Sequence, residues 1–593
     1  MCRNDITTTF LIFWIVQASL CSQPFAQFNP EVDWSHAGLL TGAPSCADTV
    51  LQINLMPGST WDDKIDSALS KAKNRIDLNP NDWVIIYFPP GSYSLSREIN
   101  LDHNYKNIIF QGAGSDKTNL NFDFGGTNQM CFHIYGSDPQ TNKTSLALDL
   151  NKGETTIQCS ITLSYTTPCW IRLSEEEHPV NDGWADLCVG QITRLDSKVS
   201  NTGTLKDQAS KQYTVSRSTK IWPITPVMNI GIENLKIYRA DEGNAGTYGH
   251  NILFSVAVNC WVKGVRFEQT CRTHIWIERS SHIYTSGCYF HDARDFGSSG
   301  NGYGVTCSQS TTNCLIENNI FHKLRHAMLV QAGANCNVFA FNYSREQHWT
   351  TVLGVPVDGD SQIFGYGPGG DISIHGNYPY SNLFEQNYCE RIVADSYHGE
   401  NWKYNTIIRN RLTNDFDTDR TWIYIRRAPS TTVLGNVRST SDASEVEYAY
   451  CDLYSDVFGF LGSTGYNHMY FVQGWGDESS AILQNGSFFY TSRPPFLSTN
   501  YTWPAIGPKT SSGGSATTQT VPAKARYSFN KKTYLTDLVP RALTYSATLP
   551  YDQTWSGSHT LTGDITIPSG VTLTIEPGTY VNIPAGKKIT VNG

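Results

Sequence analysis

The chain has 593 residues, of which 39% are hydrophobic, 12% aromatic and 16% charged, with a formal charge of −9. Soluble domains average about 25% charged residues, so this composition excludes a disordered tail, a coiled coil and a basic nucleic-acid surface. No apolar run reaches the roughly 18 residues of a membrane span, which leaves a large, glycine-punctuated β protein.

At the N-terminus, Arg3 precedes the apolar core Phe10–Val16 and then small and polar residues. Residues 1–26 therefore read as a signal peptide cleaved after Ser22 or Ala26, and imply a secreted, cell-surface or periplasmic protein. Of the 15 cysteines, 13 remain once Cys2 and Cys21 are removed, so complete internal pairing is excluded. Cys159 and Cys169 are close enough in sequence to bridge, and no spacing matches a zinc site.

Residues 27–139 read as an N-terminal cap and the first coils of a stack. Thr60 with Asp63 forms a capping-box pattern, and Ile65, Ala68, Leu69 and Ala72 make an apolar stripe at helical spacing. Such a helix plugs a sheet edge that would otherwise be open. Between 140 and 225 short strands appear without the repeat, which predicts a small β insertion able to serve as a substrate wall.

Residues 226–509 carry the repeat. Taking 259, 281, 313, 335, 382, 405 and 432 as anchors, the steps are 22, 32, 22, 47, 23 and 27, so the unit is about 22 residues. Strands at that period without helices predict a solenoid in which stacked turns bury what one turn cannot. Cys260, Cys314 and Cys336 then read as one buried thiol ladder. Residues 510–525 read as a Ser/Thr/Gly linker, and 526–593 as a β-rich C-terminal module. Its alternation still runs at Gly593, as in a module cut short or a brief appendage.

The Phe-Pro-Pro-Gly-Ser-Tyr segment at 88–93, Gln-Gly-Ala-Gly at 111–114 and the repeats of 229–435 resemble the pectate-lyase-like superfamily. The resemblance implies an all-β, right-handed parallel β-helix and a secreted carbohydrate-active protein. The chain lacks the paired aspartates and Gly-His-Gly of polygalacturonases and the Arg-x-Pro-x-x-Arg of pectate lyases, so the resemblance names no substrate.

Counting back from each anchor places Asn251, Leu253, Ala327 and Leu329 inward. It places Arg272, His274, Trp276, Glu278, His326, Met328, His375, His398, Glu400, Ile425 and Arg427 outward. His375-Gly376 and His398-Gly399 fall at equivalent positions, so their imidazoles should lie on neighbouring turns. His375, His398, Arg427 and His326 are the expected catalytic groups, with Arg272, His274, Trp276, Glu400, Trp349 and Tyr366 lining the substrate. The excursion holding Trp349 and Tyr366 reads equally as a lid or as an uncounted turn. Asp415, Asp417 and Asp419 have the one-apart spacing of a calcium loop without its glycine or glutamate. Calcium is thus an optional ligand and no metal site is assigned.

A histidine- and arginine-lined groove points to a polysaccharide lyase acting on a uronate polymer by β-elimination. The alternatives are a glycoside hydrolase with paired carboxyls and a non-catalytic glycan-binding solenoid. The hydrolase ranks second because histidine and arginine, not acid pairs, dominate the expected groove: Asp371 and Asp395 fall on the inward parity, and Glu278 sits several turns from Glu400. A polysaccharide is the expected partner, without nucleic acid, and the protein is expected to be a monomer.

Overall fold

The computed structural model describes residues 32–44, 47–180, 182–241, 249–296, 300–347, 370–413, 423–438, 447–451, 457–458, 468–471, 486–507, 518–529, 543–549, 553–555, 558–575 and 579–592. Three long ladders of thirteen, ten and eleven strands run along the chain, and strand after strand pairs in parallel with its counterpart one coil on. Trp261, Tyr284, Leu315, Val338, Leu383, Thr406 and Thr432 align across the first ladder, so the short step is 23 residues. This is a right-handed parallel β-helix.

Helix Trp61–Leu78 caps its N-terminal end, and Thr60 and Asp63 form both bonds of the capping box. Ile65, Ala68, Leu69 and Ala72 are buried and join an interior cluster that continues to Val433. Inside, Phe267, Phe290 and Phe321 stack at 4.8 Å spacings. Beside the phenylalanines runs an asparagine ladder. Each of Asn342, Asn387, Asn410 and Asn436 accepts through Oδ1 the backbone N–H of the asparagine one coil earlier, beginning with Asn319. These side chains satisfy polar groups where the chain turns between the first and second sheets and no water reaches. The same corner takes a left-handed residue in each coil, among them Asn234, Gly264, Gly287, Asn318 and Gly435. Glycine and asparagine recur there because they adopt positive φ at least cost.

The anchors drift from the true register. Thr312 pairs with Asn335, and Asn335 with Tyr380 rather than Asn382. Cys260 and Cys314 share one inward row, through Ile283, but Cys336 lies one residue off it, in a separate cluster on the flank. Cys159 and Cys169 carry free thiols. Val338 pairs directly with Leu383, so the long step hides no missing coil. Its extra residues lie between the second-sheet strand Tyr343–Arg345 and the third-sheet strand Ile372–Ile374. Trp349 and Tyr366 fall there, outside the described residues, as do Asp415, Asp417, Asp419 and residues 1–26. Among the described residues no helix is long and apolar enough to cross a membrane.

Six strands between Thr144 and Pro223 form an antiparallel sheet of their own with a separate core. This insertion sits astride the corner between the third and first sheets. Asn335 Nδ2 donates to the Gly190 carbonyl, Ser310 Oγ to that of Cys188, and Tyr213 meets Tyr380 through their hydroxyls at 2.8 Å. The approach is closest at Gly333, which has φ +69° and whose absent Cβ would stand 1.9 Å from the Cys188 oxygen. Gly333→Ala is expected to cost about 2 kcal/mol and loosen the insertion. A lowered melting midpoint with faster protease cleavage within residues 144–223 checks this; unchanged cleavage contradicts it.

From Thr518 to Ala525 the chain, expected as linker, packs on the helix. Helix Pro522–Phe529 lies against the second sheet, with Arg526 bonded to Asn318 and the Tyr527 ring 5.3 Å from His322. The strands Leu543–Thr548, Gln553–Trp555, Ser558–Ile567, Leu573–Ile575, Tyr580–Asn582 and Ile589–Val591 build a second small set of parallel ladders.

Candidate functional site

The third sheet turns one face inward and one outward. Ile275, Val305, Met328, Ile372, Ile392 and Ile423 form an inward row. Trp276, Thr306, Leu329, Ser373, Val393 and Tyr424 form the outward one. Met328 and Ile425 therefore face the core, while Leu253 and Leu329 face out, the reverse of the expected parity. The cause is physical: the turns between strand and anchor differ in length, so a backward count slips by one residue and flips the face.

A second outward row runs Glu278, Ser308, Gln331, His375, Asp395 and Arg426. His375 Nδ1 lies 2.7 Å from Asp395 Oδ2. Burial alone would raise the Asp395 carboxyl, but the charge and hydrogen bond of His375, with the Tyr397 N–H, hold it below the usual carboxylate range. An ionised carboxylate only accepts, so Nδ1 carries the proton in this bond.

His398 is not in this row. Asp395 occupies the place opposite His375, and His398 stands in the turn just beyond, where Gly399 N–H bonds to the Ser396 carbonyl. The imidazoles still meet, edge to face, with centroids 4.8 Å apart. His398 Nδ1 donates to Asp182 Oδ2 at 2.8 Å, and Asn377 Nδ2 donates to the same oxygen at 3.1 Å. Asp182 belongs to the insertion, so the pair is completed across the corner. Burial and then the neighbouring His375 lower His398 below the ordinary imidazole value, against the upward pull of Asp182. His398 is thus neutral near pH 7, as a base must be.

His326 lies one strand before His375, at a ring distance of 5.9 Å. It is buried, donates from Nδ1 to the Gly370 carbonyl at 2.8 Å, and is pushed down to about 3, chiefly by burial. That ring cannot reach a substrate and supports the pair from behind. His274 is fully buried between Phe267 and Phe290, with its nitrogens on Asn251 and the Asp292 carbonyl, so it is an interior residue and not a groove residue. Arg427 also departs from expectation. It occupies a left-handed turn position at φ +44°, and Arg426 takes the outward place beside Asp395.

Arg272 and Trp276 form a separate patch. The guanidinium lies 4.9 Å from the indole, which also bonds Glu278 and packs on His250. Three strands, or about 14 Å, separate this patch from the His375 coil. Glu400 is exposed in the turn after His398, with its carbonyl bonded to Tyr378 N–H.

Sequence reasoning gave no role to Asp182, Tyr397 or Trp184, and it turned Asp395 inward, whereas Asp395 faces out beside His375. Tyr397 is 54% exposed and stacks on His375 at 5.9 Å; Trp184 is 42% exposed and lies edge-on to His398 at 5.2 Å. The signal for Trp184 was its Asp-Gly-Trp setting in the insertion, a large aromatic beside a tight turn. Next to Trp184 opens a polar cleft of about 620 Å³ between insertion and helix, lined by Arg172, Glu176, Asp186, Glu278 and Arg279. Three carboxylates face two guanidiniums, so this cleft is not the cationic surface that the histidine and arginine count suggests. Among the described residues, no cluster of three or more metal-ligating side chains is placed to hold an ion.

No family model matches the chain, and no curated protein matches it. Among solved structures, it is similar to the Gp54 tailspike of Acinetobacter baumannii bacteriophage AP22 in complex with A. baumannii capsular saccharide, at 12% identity and a TM-score of 0.44. That alignment covers 66% of this chain and 59% of the tailspike, so the chain spans under two thirds of its length. The Pseudomonas phage phi297 tailspike is also 12% identical with a TM-score of 0.44, over 88% of this chain and 70% of that one. The A-module of the Azotobacter vinelandii mannuronan C-5 epimerase AlgE4 is 10% identical with a TM-score of 0.32, over 66% and 77%. By its own three parallel ladders and capping helix, the chain has a right-handed parallel β-helix fold.

Proposed function

We propose that this protein is a carbohydrate-active enzyme that cleaves a uronate-containing polysaccharide by β-elimination beside the His375–His398 pair. One observation carries the reading: two imidazoles 4.8 Å apart, each bonded through Nδ1 to a carboxylate, beside Trp184 of the cleft wall. The neutral and more exposed His398 takes the proton alpha to the sugar carboxylate. The C–O bond at the beta carbon breaks, a double bond forms, and His375 delivers a proton to the departing oxygen. Asp182 and Asp395 hold the two rings in the required tautomers and stabilise the charge that each bears in turn. To Arg426, next in the outward row, we assign the pairing with the substrate carboxylate. Tyr397 and Trp184 offer exposed faces for sugar rings.

Hydrolysis has one observation in its favour, since Asp395 does face outward and Asp182 stands nearby. It also needs a protonated carboxyl open to the cleft. The carboxyls that burial pushes upward, Glu317, Asp371 and Glu385, are all shut away from solvent.

Incubation with a panel of uronate polysaccharides should generate the ultraviolet band of an unsaturated product. New reducing ends without that band would instead favour hydrolysis, and binding without either would favour the glycan-binding solenoid.

A further inference from the structure

The insertion has two flanks, and the His375–His398 site uses only the one over the third sheet. On the other flank, over the first sheet, lies a cavity of about 420 Å³. Three separate segments wall it: Asp33 and His36 from the N-terminal strap, Lys152, Asp207 and Gln208 from the insertion, and Asn313 from the helix. The walls are tied together independently of the cavity. Trp34 Nε1 donates to the Ser381 carbonyl at 2.7 Å, and Gly38 N–H to that of Asn313 at 2.9 Å.

At the floor is Asp207, only 2% exposed. Its Oδ2 accepts from Thr193 Oγ1 at 3.0 Å, with His282 Nε2 at 3.7 Å. Its Oδ1 has no hydrogen bond; the nearest cation-forming group, His36 Nδ1, stands 3.6 Å away. Burial would raise this carboxyl, but His282, the Thr193 hydroxyl and His36 together outweigh it and keep Asp207 below the usual range. A buried, ionised acceptor with an unpaired oxygen in the wall of a roomy polar cavity calls for a further donor.

We propose that this cavity is a second saccharide site, one that takes a neutral, polyhydroxylated ligand and performs no chemistry. The charges choose the class. An ammonium would satisfy Asp207 and Asp33 but meet Lys152; a carboxylate or phosphate would suit Lys152 but meet both aspartates. A hydroxyl both donates and accepts, so it serves Asp207 on one side and the Gln208 and Asn313 amides on the other. The volume accommodates a sugar unit with its neighbour, open to solvent for a chain to continue. The proposal does not depend on the elimination reaction.

Calorimetric titration of the full chain with cellobiose, maltose and lactose tests it, alongside glucosamine and glucuronic acid. At least one neutral disaccharide should bind, more tightly than either charged sugar. Asp207→Asn should weaken binding about tenfold, the loss expected for a hydrogen bond to a charged group. Lys152→Ala should weaken it about threefold, and it decides the matter if the Asp207→Asn variant melts early. His398→Ala should leave it unchanged, which separates this site from the elimination centre. Failure of all three disaccharides to bind, equal binding of the charged sugars, or binding indifferent to both cavity variants would overturn the proposal.

Discussion

His398→Ala is expected to lower kcat for polysaccharide cleavage by about three orders of magnitude, the loss typical of a general base, with KM little changed. The residue lies on a turn, part-exposed, so its removal should barely move the melting midpoint. Asp182→Asn is the sharper experiment. A base works only while neutral, so the rate falls as pH drops through the pKa of His398. Burial and His375 already lower that pKa, which places the acid limb below the ordinary imidazole value. Asp182 pulls the other way, and its loss should move the limb further down while kcat falls as the ring loses its tautomer. A residue that merely packed the insertion in place would change activity without moving the limb. His375→Ala removes a downward influence and should shift any residual acid limb upward. An acid limb unmoved in the Asp182 variant would remove His398 from the role of base.

The architecture was legible because burial acts on every coil. The interior cannot tolerate a polar side chain without a partner, so apolar residues and bonded asparagines recur at a nearly constant interval, and that interval shows in the chain. The capping helix was legible for the same local reason, from Thr60, Asp63 and one apolar stripe. The site was legible only in part. His375 and His398 stood out because each precedes a glycine, but their supposed equivalence was wrong: the coil from Ile374 to Ala394 is 20 residues, and Asp395 takes the matching place. With Asp395 misplaced to the inward face, the carboxylate that orients His375 went unseen. Asp182 could not have been found by any periodic argument. It lies 216 residues before its partner in an insertion that obeys a different, antiparallel pairing, and only the docking of that insertion on the corner brings it within 2.8 Å. Arg426 and Arg427 differ by one residue, and a single left-handed turn decides which lies in the row.

Asn387→Ala should be among the most destabilising substitutions in the chain, although it removes no charge and no large apolar group. Asn387 is fully buried, and its amide closes four bonds. Nδ2 donates to the Phe339 carbonyl at 2.9 Å and to Asn410 Oδ1 at 3.0 Å; Oδ1 accepts Asn342 N–H at 3.1 Å and Asn342 Nδ2 at 3.0 Å. Truncation strands partners in the coils on both sides, in an interior where water does not replace them. At about 1 kcal/mol for each of the four bonds lost, the loss comes to about 4 kcal/mol, at the upper end of the range for a point substitution. Asn119→Ala provides the contrast. Its amide bonds Ser92 and Asn121 on the outer face near the first coils, where solvent takes over, and the expected change is within about 0.5 kcal/mol. Because each coil contacts only its neighbours, the damage should be local at first: amide hydrogen exchange should rise around residues 339–342 and 407–412 before the midpoint of urea unfolding is reached. Equal midpoints for the two variants would mean that the asparagine ladder follows the fold without holding it together.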